Sequence, residues 1–140
     1  MRQQNTQTLS VTSRSRSEII DLTAQVQKVV RETVKSGFVI VYVPHTTAGV
    51  TINENADPDV KSDFLKKLEE LVPKHEPYYQ HDEGNSDSHV KTALVGNSAT
   101  VLVEDGRLLL GRWQGIYFCE FDGPRHREVY VRPVDLAGGP

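Results

Sequence analysis

The sequence predicts an α+β domain in which the strands pair mostly antiparallel. Strand-like patterns lie near both ends of the chain, at residues 6–12 and 98–132, and helical patterns lie between them. The Asp-Gly pair at residues 105–106 is typical of a tight hairpin turn, which joins antiparallel strands. A doubly wound α/β fold would alternate strands and helices along the whole chain, so the observed order favours α+β.

The first two strands are predicted to form a hairpin. Residues 6–12 alternate, with Leu9 and Val11 on one face and hydroxyl-bearing side chains on the other, as in a half-buried strand. We expect residues 14–22 to return beside this strand as its partner.

A first helix is predicted over residues 23–36. Gly37 suits the left-handed conformation that often follows the last turn of a helix. The apolar stripe of this helix consists of Val26, Val29, Val30 and Val34.

Two strands and a second helix follow in the middle of the chain. The strands are predicted at residues 38–43 and 47–52. Asp57 suits the N-cap of the helix, Pro58 its first turn, and Pro73 its end. The apolar residues at helical spacing are Val60, Phe64, Leu68 and Leu71.

A third, shorter helix begins after a polar stretch. Asn85 or Ser86 can cap it, and Gly96 can close it. The residues expected to face inward are Val90, Ala93 and Leu94.

The last third of the chain is predicted to be all strand. One hairpin joins residues 98–103 to residues 107–110 through Asp-Gly. Residues 115–121 and 128–132 flank Asp-Gly-Pro and are expected to form a second hairpin-like pair.

The composition is that of a single soluble domain spanning residues 1–140. The chain is 37% hydrophobic and 25% charged, with a net charge of −3, so no basic balance predicts nucleic-acid binding. It contains no apolar run near 18 residues and no signal peptide, and its one cysteine excludes an internal disulfide. We therefore expect a cytoplasmic protein that does not bind a membrane.

Polar side chains of chemical interest cluster in three segments, at residues 45–57, 81–91 and 111–125. We expect the first segment to form one wall of a pocket, with His45 at a strand end and residues 53–55 facing it. Glu54 stands between two asparagines, where it could act as a general base, orient a histidine or bind a cation; otherwise it is a solvated loop residue.

The second segment, HDEGNSDSHVK, predicts an anion site at the start of the third helix. A helix start presents free backbone N–H groups and the positive end of the helix dipole, so residues 85–89 could hold a phosphate or a carboxylate. In the alternative interpretation, the Asn-Ser-Asp run serves only as a helix cap.

Three histidines, His45, His81 and His89, could also form a metal site with an open position. Their spacing does not require it, because no His-x-x-x-His or Cys-x-x-Cys pair fixes two ligands on one element. Histidines that only make hydrogen bonds at the surface are the alternative.

In the third segment, Cys119 and Arg125 each have a functional and a structural interpretation. Cys119 is most simply a small core residue, and use as a nucleophile would need a basic neighbour that lowers the pKa of its thiol. Arg125 either clamps a phosphate or pairs with an acid.

Three long motifs, HTTAGVTINENADPDV, HDEGNSDSHVKTAL and GRWQGIYFCEFDGPR, together resemble the YjbQ family of small proteins. The resemblance covers essentially the whole chain in the same order. It implies a sandwich-like α+β fold of two sheets with about three helices, assembled as a homotrimer, with a pocket near the subunit contacts.

The resemblance also implies a site and an activity. The three histidines are the implied ligands of a divalent metal, zinc rather than magnesium. The activity is a weak thiamine-phosphate synthase reaction, which joins a pyrimidine diphosphate to a thiazole phosphate and releases pyrophosphate. A non-catalytic trimer that binds a metal or an anionic metabolite is the alternative function.

We assign roles to the residues of these motifs as follows. The catalytic candidates are Glu54, His45 and His89. The candidates for binding a small phosphorylated substrate are Thr46, Thr47, Asn53, Asn85, Ser86, Lys91, Gln114, Cys119 and Arg125, and the metal ligands are His45, His81 and His89.

Overall fold

The computed structural model describes residues 5–137 and confirms an α+β fold built from two antiparallel sheets and three helices. The helices are α1 (Thr23–Thr33), α2 (Pro58–Leu71) and α3 (Ser86–Val95). The strands are β1 (Gln7–Thr12), β2 (Glu18–Asp21), β3 (Ser36–Tyr42), β4 (Ala48–Glu54), β5 (Ser98–Glu104), β6 (Arg107–Leu108), β7 (Gln114–Glu120) and β8 (His126–Asp135).

One sheet has five strands in the order β1-β8-β3-β5-β6, and the other has three in the order β2-β7-β4. The main core lies between the sheets and is rich in valine, as expected for side chains that pack well on pleated surfaces. The stripe of α1 joins this core through Val26, Val29 and Val30. No helix within residues 5–137 is long and apolar enough to cross a membrane.

Two of the predicted strand pairs are wrong. Strand β2 pairs with β7 instead of β1, and β7 and β8 belong to different sheets. The chain changes sheet between β1 and β2 and again between β7 and β8, where main-chain hydrogen bonds from Ser13 to Arg125 and from Gly123 to Arg16 hold the two connections together. An alternating pattern identifies a strand but does not identify its neighbour.

Helix α1 is shorter than predicted. It ends at Thr33, and Val34 has extended backbone angles. Gly37 lies in β3, where a Cβ atom would come within 2.0 Å of the Val134 carbonyl oxygen. This glycine therefore permits close approach of two strands and does not cap the helix.

The signals for α2 are confirmed. The Asp57 side chain caps the helix by accepting a 2.9 Å hydrogen bond from the Asp59 N–H, and Pro58 opens the first turn. The helix ends at Leu71, two residues before Pro73. Leu68 packs in a second, smaller core with Cys119 and Phe121.

The predicted orientation of α3 is wrong. Val90, Ala93 and Leu94 are exposed, and the buried face instead carries Asp87, Ser88, Lys91 and Thr92. Asp87 and Lys91 are buried at acceptable cost because their charges are paired, and Ser88 is hydrogen-bonded to the Phe121 carbonyl oxygen. The buried Thr92 hydroxyl has no partner among the described residues. Gly96, with a φ of 102°, closes the helix as predicted.

Candidate functional site

The three polar segments do not converge on one pocket within a single chain. His45 precedes β4, and Glu54 is its last residue. A seven-residue strand spans about 20 Å, so the expectation that residues 53–55 face His45 across a pocket is wrong within one subunit. Strand β4 instead separates a His45 cleft at one end from a Glu54 cluster at the other.

The His45 ring is held through Nε2, and its Nδ1 makes no hydrogen bond within residues 5–137. Nε2 lies 3.0 Å from the main-chain nitrogen of Glu128 and 3.1 Å from its carbonyl oxygen, so either neutral tautomer finds a partner. Nδ1 is then either a hydrogen-bond donor or an available lone pair. Burial, together with the nearby Arg127 charge, lowers the pKa of His45, which favours the neutral ring.

A cleft of about 550 Å³ opens at this end of the molecule. The backbone around it is fixed by Asn97, whose Nδ2 donates to the carbonyl oxygens of Val43 and His45 at 3.0 and 2.9 Å. The cleft is lined by Tyr42, Val43, Pro44, His45, Thr46, Asn97 and Arg127.

Of the two predicted threonines, Thr46 is exposed at the cleft, whereas Thr47 is buried beneath it. Thr47 Oγ1 accepts a 2.8 Å hydrogen bond from Arg127 Nη2. The guanidinium also binds both carboxylate oxygens of Glu120, which is fully buried. This ion pair joins β7 of one sheet to β8 of the other and supports the segment that carries His45.

His81 and His89 lie together at the start of α3. Their ring centroids are 5.2 Å apart with the rings perpendicular, and His81 Nε2 is 3.9 Å from a Glu83 carboxylate oxygen. The two rings, with Ser86 and Val90, line an open cleft of about 300 Å³.

The predicted three-histidine metal site is not assembled in one subunit. His81 and His89 line one cleft and His45 another. Across residues 5–137, no group of three or more His, Cys, Asp or Glu side chains is arranged to hold a metal ion. A single subunit thus offers two imidazoles, fewer than the three protein ligands that a catalytic zinc site uses.

The start of α3 has unused hydrogen-bond donors. The N–H groups of Ser86 and Asp87 meet no acceptor among the described residues, whereas that of Ser88 binds the Asn85 carbonyl oxygen. Asn85 is the N-cap residue, but its side chain does not cap the helix. Its Nδ2 donates instead to Asp122 at 2.6 Å, and its buried Oδ1 meets no partner in the part of the chain that the structure describes.

Arg125 borders the same helix start through Asp122. Its Nε donates to the Asp122 carbonyl oxygen and its Nη2 to the carboxylate, at 2.8 and 2.7 Å. The side chain remains 49% exposed, and Nη1 has no partner among the described residues. Arg125 therefore pairs with an acid, which was one of the two predicted roles. It also keeps an exposed positive charge, which the other role, phosphate binding, would use.

Two predicted binding residues are enclosed by the protein. Lys91 is 2% exposed, and its ammonium group binds Asp87 at 2.9 Å and Glu69 at 2.7 Å. Cys119 is fully buried, and burial raises the pKa of its thiol to about 12. Neither side chain is exposed to a ligand in solution, so assigning them to substrate binding is incorrect for this structure.

Arg16 belongs to the site but was missed by sequence reasoning. Its guanidinium binds both carboxylate oxygens of Asp87, at 3.1 and 2.9 Å, and contacts Ser88. The two residues of this pair are 71 positions apart in the chain. No local pattern around Arg16 distinguishes it from the other arginines.

The remaining predicted residues gather at the far end of β4. Glu54 pairs with Gln114 across the sheet, and Asn53 accepts a hydrogen bond from the Glu54 N–H. The unexpected member of this cluster is Tyr117, whose hydroxyl donates to Asn55 and whose ring lies 4.6 Å below the Lys61 ammonium. The cavity beside it is about 10 Å³, room for about one water molecule.

Comparison with known sequences and structures identifies the family. The profile of the family described as "UPF0047 protein YjbQ-like" matches residues 7–135. The chain is 52% identical to the UPF0047 protein YugU of Bacillus subtilis over 126 residues, which are 89% of this chain and 96% of that protein. It is 52% identical to a UPF0047 protein of Methanocaldococcus jannaschii over 125 residues, 89% of this chain and 90% of the relative.

Solved structures agree. An uncharacterised YjbQ/UPF0047 protein from Clostridium acetobutylicum superposes with a TM-score of 0.88 at 49% identity, covering 91% of this chain and 98% of its own. A conserved hypothetical protein from Thermus thermophilus gives 0.85 at 44% identity, with the same two coverages. The names of these four relatives state no activity. The chain belongs to the UPF0047 (YjbQ-like) family.

Proposed function

We propose that this protein is a small cytoplasmic enzyme that binds a phosphorylated substrate at the start of α3. The observation that carries the proposal is the unused N–H group of the half-buried Ser86 at the first turn of a ten-residue helix, next to the buried Asp87. Helix starts of this kind bind phosphate through N–H donors and the helix dipole. The half-exposed Arg125 supplies a further donor and a positive charge.

The surrounding residues define which phosphate groups suit the site. Asp87 and Asp122 already neutralise much of the charge of Arg16, Lys91 and Arg125. The expected ligand is therefore a mono- or diphosphate that is bound mainly by hydrogen bonds and less by a net positive charge of the site. His89 stands on the first turn and is the candidate for proton transfer to or from the ligand.

The reaction proposed is of the thiamine-phosphate synthase type, with pyrophosphate as the product that leaves. A leaving diphosphate gains charge, and N–H groups and a guanidinium directed at it would stabilise that charge. Glu54 and His45 stand at the two ends of β4, so within one chain they cannot both act beside His89. Their participation requires residues from a neighbouring subunit.

We extend the proposal to a homotrimer that also holds a divalent metal, zinc before magnesium. His81 and His89 of one chain do not suffice as ligands, and His45 of another copy would complete the set. Support for association comes from the side of the five-stranded sheet that faces away from the core. There, Phe38 and Leu102 are cross-strand partners, and Leu102 is 62% exposed.

Titration calorimetry with pyrophosphate tests the phosphate site. Arg125→Ala should weaken binding by roughly tenfold or more, the value of a charge-assisted hydrogen bond. Arg112→Ala, which removes an exposed arginine from another loop, should leave the affinity unchanged. Equal affinities for the wild type and both variants would refute a phosphate site at α3.

Elemental analysis of untagged protein tests the metal. A stoichiometric metal that is lost in His89→Ala, but retained in the control His75→Ala, would support the metal proposal. Light scattering on the same samples reports the subunit number. A metal-free monomer after incubation with zinc would refute both parts.

A non-catalytic binding protein is the second candidate function. The observation that favours it is the enclosure of Lys91 and Cys119, which keeps the amine and the thiol of these two side chains away from a ligand in solution. Pyrophosphate binding without turnover of a pyrimidine diphosphate and a thiazole phosphate would support this alternative against the enzyme.

A further inference from the structure

We infer that the cleft beside His45 binds a flat, uncharged heteroaromatic ring. This is a different site from the proposed phosphate site, because Asn97 follows the last turn of α3 whereas Ser86 begins the first. The inference does not depend on the proposed phosphate site. It does exclude the proposed use of His45 as a metal ligand for another subunit, because Nε2 is bound to the Glu128 main chain and Nδ1 cannot serve both.

Tyr42 offers the stacking surface. The residue is 46% exposed, although it lies on a strand of the five-stranded sheet. Tyr130, its cross-strand partner, stacks against it with centroids 6.5 Å apart and planes 20° apart. The partner restricts rotation of Tyr42, so a ligand ring meets a platform that is already oriented.

Two hydrogen-bonding groups are fixed at the same cleft. His45 is held through Nε2 on the Glu128 main chain, which leaves Nδ1 to the cleft side chains or solvent. Asn97 uses Nδ2 for two carbonyl groups and retains Oδ1, which has no partner among the described residues. A donor or acceptor at His45 and an acceptor at Asn97 suit a ring edge that carries both kinds of group, such as a nucleobase edge.

The charges at the cleft favour a neutral ligand over an anion. Arg127 is the cationic side chain of the lining, but its guanidinium is 5% exposed and is occupied by Glu120 and Thr47. A free phosphate would therefore find little attraction here, and a planar polar ring would find both stacking and hydrogen bonds.

Adenine is a suitable probe, with inorganic phosphate as the comparison. Titration calorimetry should detect saturable binding of adenine to the wild-type protein. Tyr42→Phe keeps an aromatic surface and should change the affinity by less than about twofold, whereas Tyr42→Leu should weaken it by roughly fivefold or more. Tyr78→Leu, at an exposed tyrosine in the polar stretch before α3, is the matched control and should have no effect.

A measurement on the wild-type protein guards against variants that fail to fold. The side-chain amide resonances of Asn97 should shift on addition of adenine and remain in place on addition of phosphate. The inference is overturned if adenine produces no such shift, or if Tyr42→Leu and Tyr78→Leu bind it equally well. Adenine binding that perturbs the start of α3 instead of Asn97 would also overturn it.

Discussion

Replacing Arg127 by methionine should lower the free energy of unfolding at neutral pH. This loss should become smaller as the pH falls. The Glu120 carboxylate is fully buried and receives hydrogen bonds from Arg127, Ser13 and the Asp122 N–H. Removing the guanidinium leaves a buried charge without its main partner, a change that costs about 3–5 kcal/mol. Because a domain of this kind has about 5–15 kcal/mol of stability, the variant should stay mostly folded unless the wild type lies at the low end of that range.

The pH dependence follows from the pKa of Glu120. Burial alone would raise this pKa, but the hydrogen bonds from Arg127 and its neighbours outweigh burial and hold it below the ordinary value of 4.5. In the wild type, the pair therefore contributes stability above about pH 4.5, and that contribution is lost as the pH falls through the depressed pKa. In Arg127→Met, burial dominates and raises the pKa, so the variant should gain stability relative to the wild type on acidification.

Urea unfolding at pH 7.5 and pH 5, followed by circular dichroism, measures both effects. The stability deficit of Arg127→Met should be largest at pH 7.5 and smaller at pH 5. The double variant Glu120→Gln with Arg127→Met removes both charges and should recover most of the loss. A deficit below about 1 kcal/mol, or one independent of pH, would show that the pair is not the buried, mutually dependent unit described above.

Four further predictions concern single sites. Asp57→Ala should lower the free energy of unfolding by about 1 kcal/mol in urea titrations, because the α2 cap is lost. Gly49→Ala should cost about 1–3 kcal/mol in the same assay, since its Cβ would lie 2.5 Å from the Gly96 carbonyl oxygen. The Cys119 thiol should resist Ellman's reagent in the native protein and react fully in denaturant, given its burial and its pKa of about 12. If the proposed trimer uses the outer sheet face, Leu102→Glu should reduce the mass measured by light scattering, whereas Leu136→Glu should serve as an exposed control.

The parts of the fold that could be predicted from sequence depend on signals between neighbouring residues. Asp57 and Pro58 mark the start of α2 through contacts within one turn, and Pro73 follows its end closely. The hairpin between β5 and β6 likewise depends on two adjacent residues, Asp105 and Gly106, both with positive φ. Such signals are independent of the rest of the chain.

The orientation of α3 depends instead on distant residues. Lys91 would be a poor choice for a buried position by its residue type alone. It is buried because Asp87 and Glu69 bind its ammonium group, and Glu69 is 22 residues away on another helix. Arg16, 71 residues from Asp87, completes the network from a connection between strands. A rule that places apolar residues in the core therefore selects the wrong face of α3, the one that is exposed in the structure.

In the candidate site, too, the local features could be predicted from the sequence, whereas the features that depend on distant residues could not. The motifs identified residues that lie at element ends, where His45, His89 and Glu54 are found. The strand predicted at residues 47–52 is already long enough to hold His45 and Glu54 apart, so the expectation that they face each other across one pocket did not follow from the predicted elements. Once β4 is a strand paired along its whole length with β7, His45 and Glu54 cannot share one pocket in the same chain.

That separation limits how the family motifs can act together. If His45 and Glu54 serve one reaction, they must come from two subunits. The His45 end of β4 in one subunit would then lie next to the Glu54 end of β4 in the other. If they serve different ligands, each subunit has separate sites at the His45 cleft, the α3 start and the Glu54 cluster. A stacking ring with fixed hydrogen-bonding groups lies at the first of these positions and a helix start beside Arg125 at the second, so the heteroaromatic ligand and the phosphate proposed above would bind at separate places in one chain.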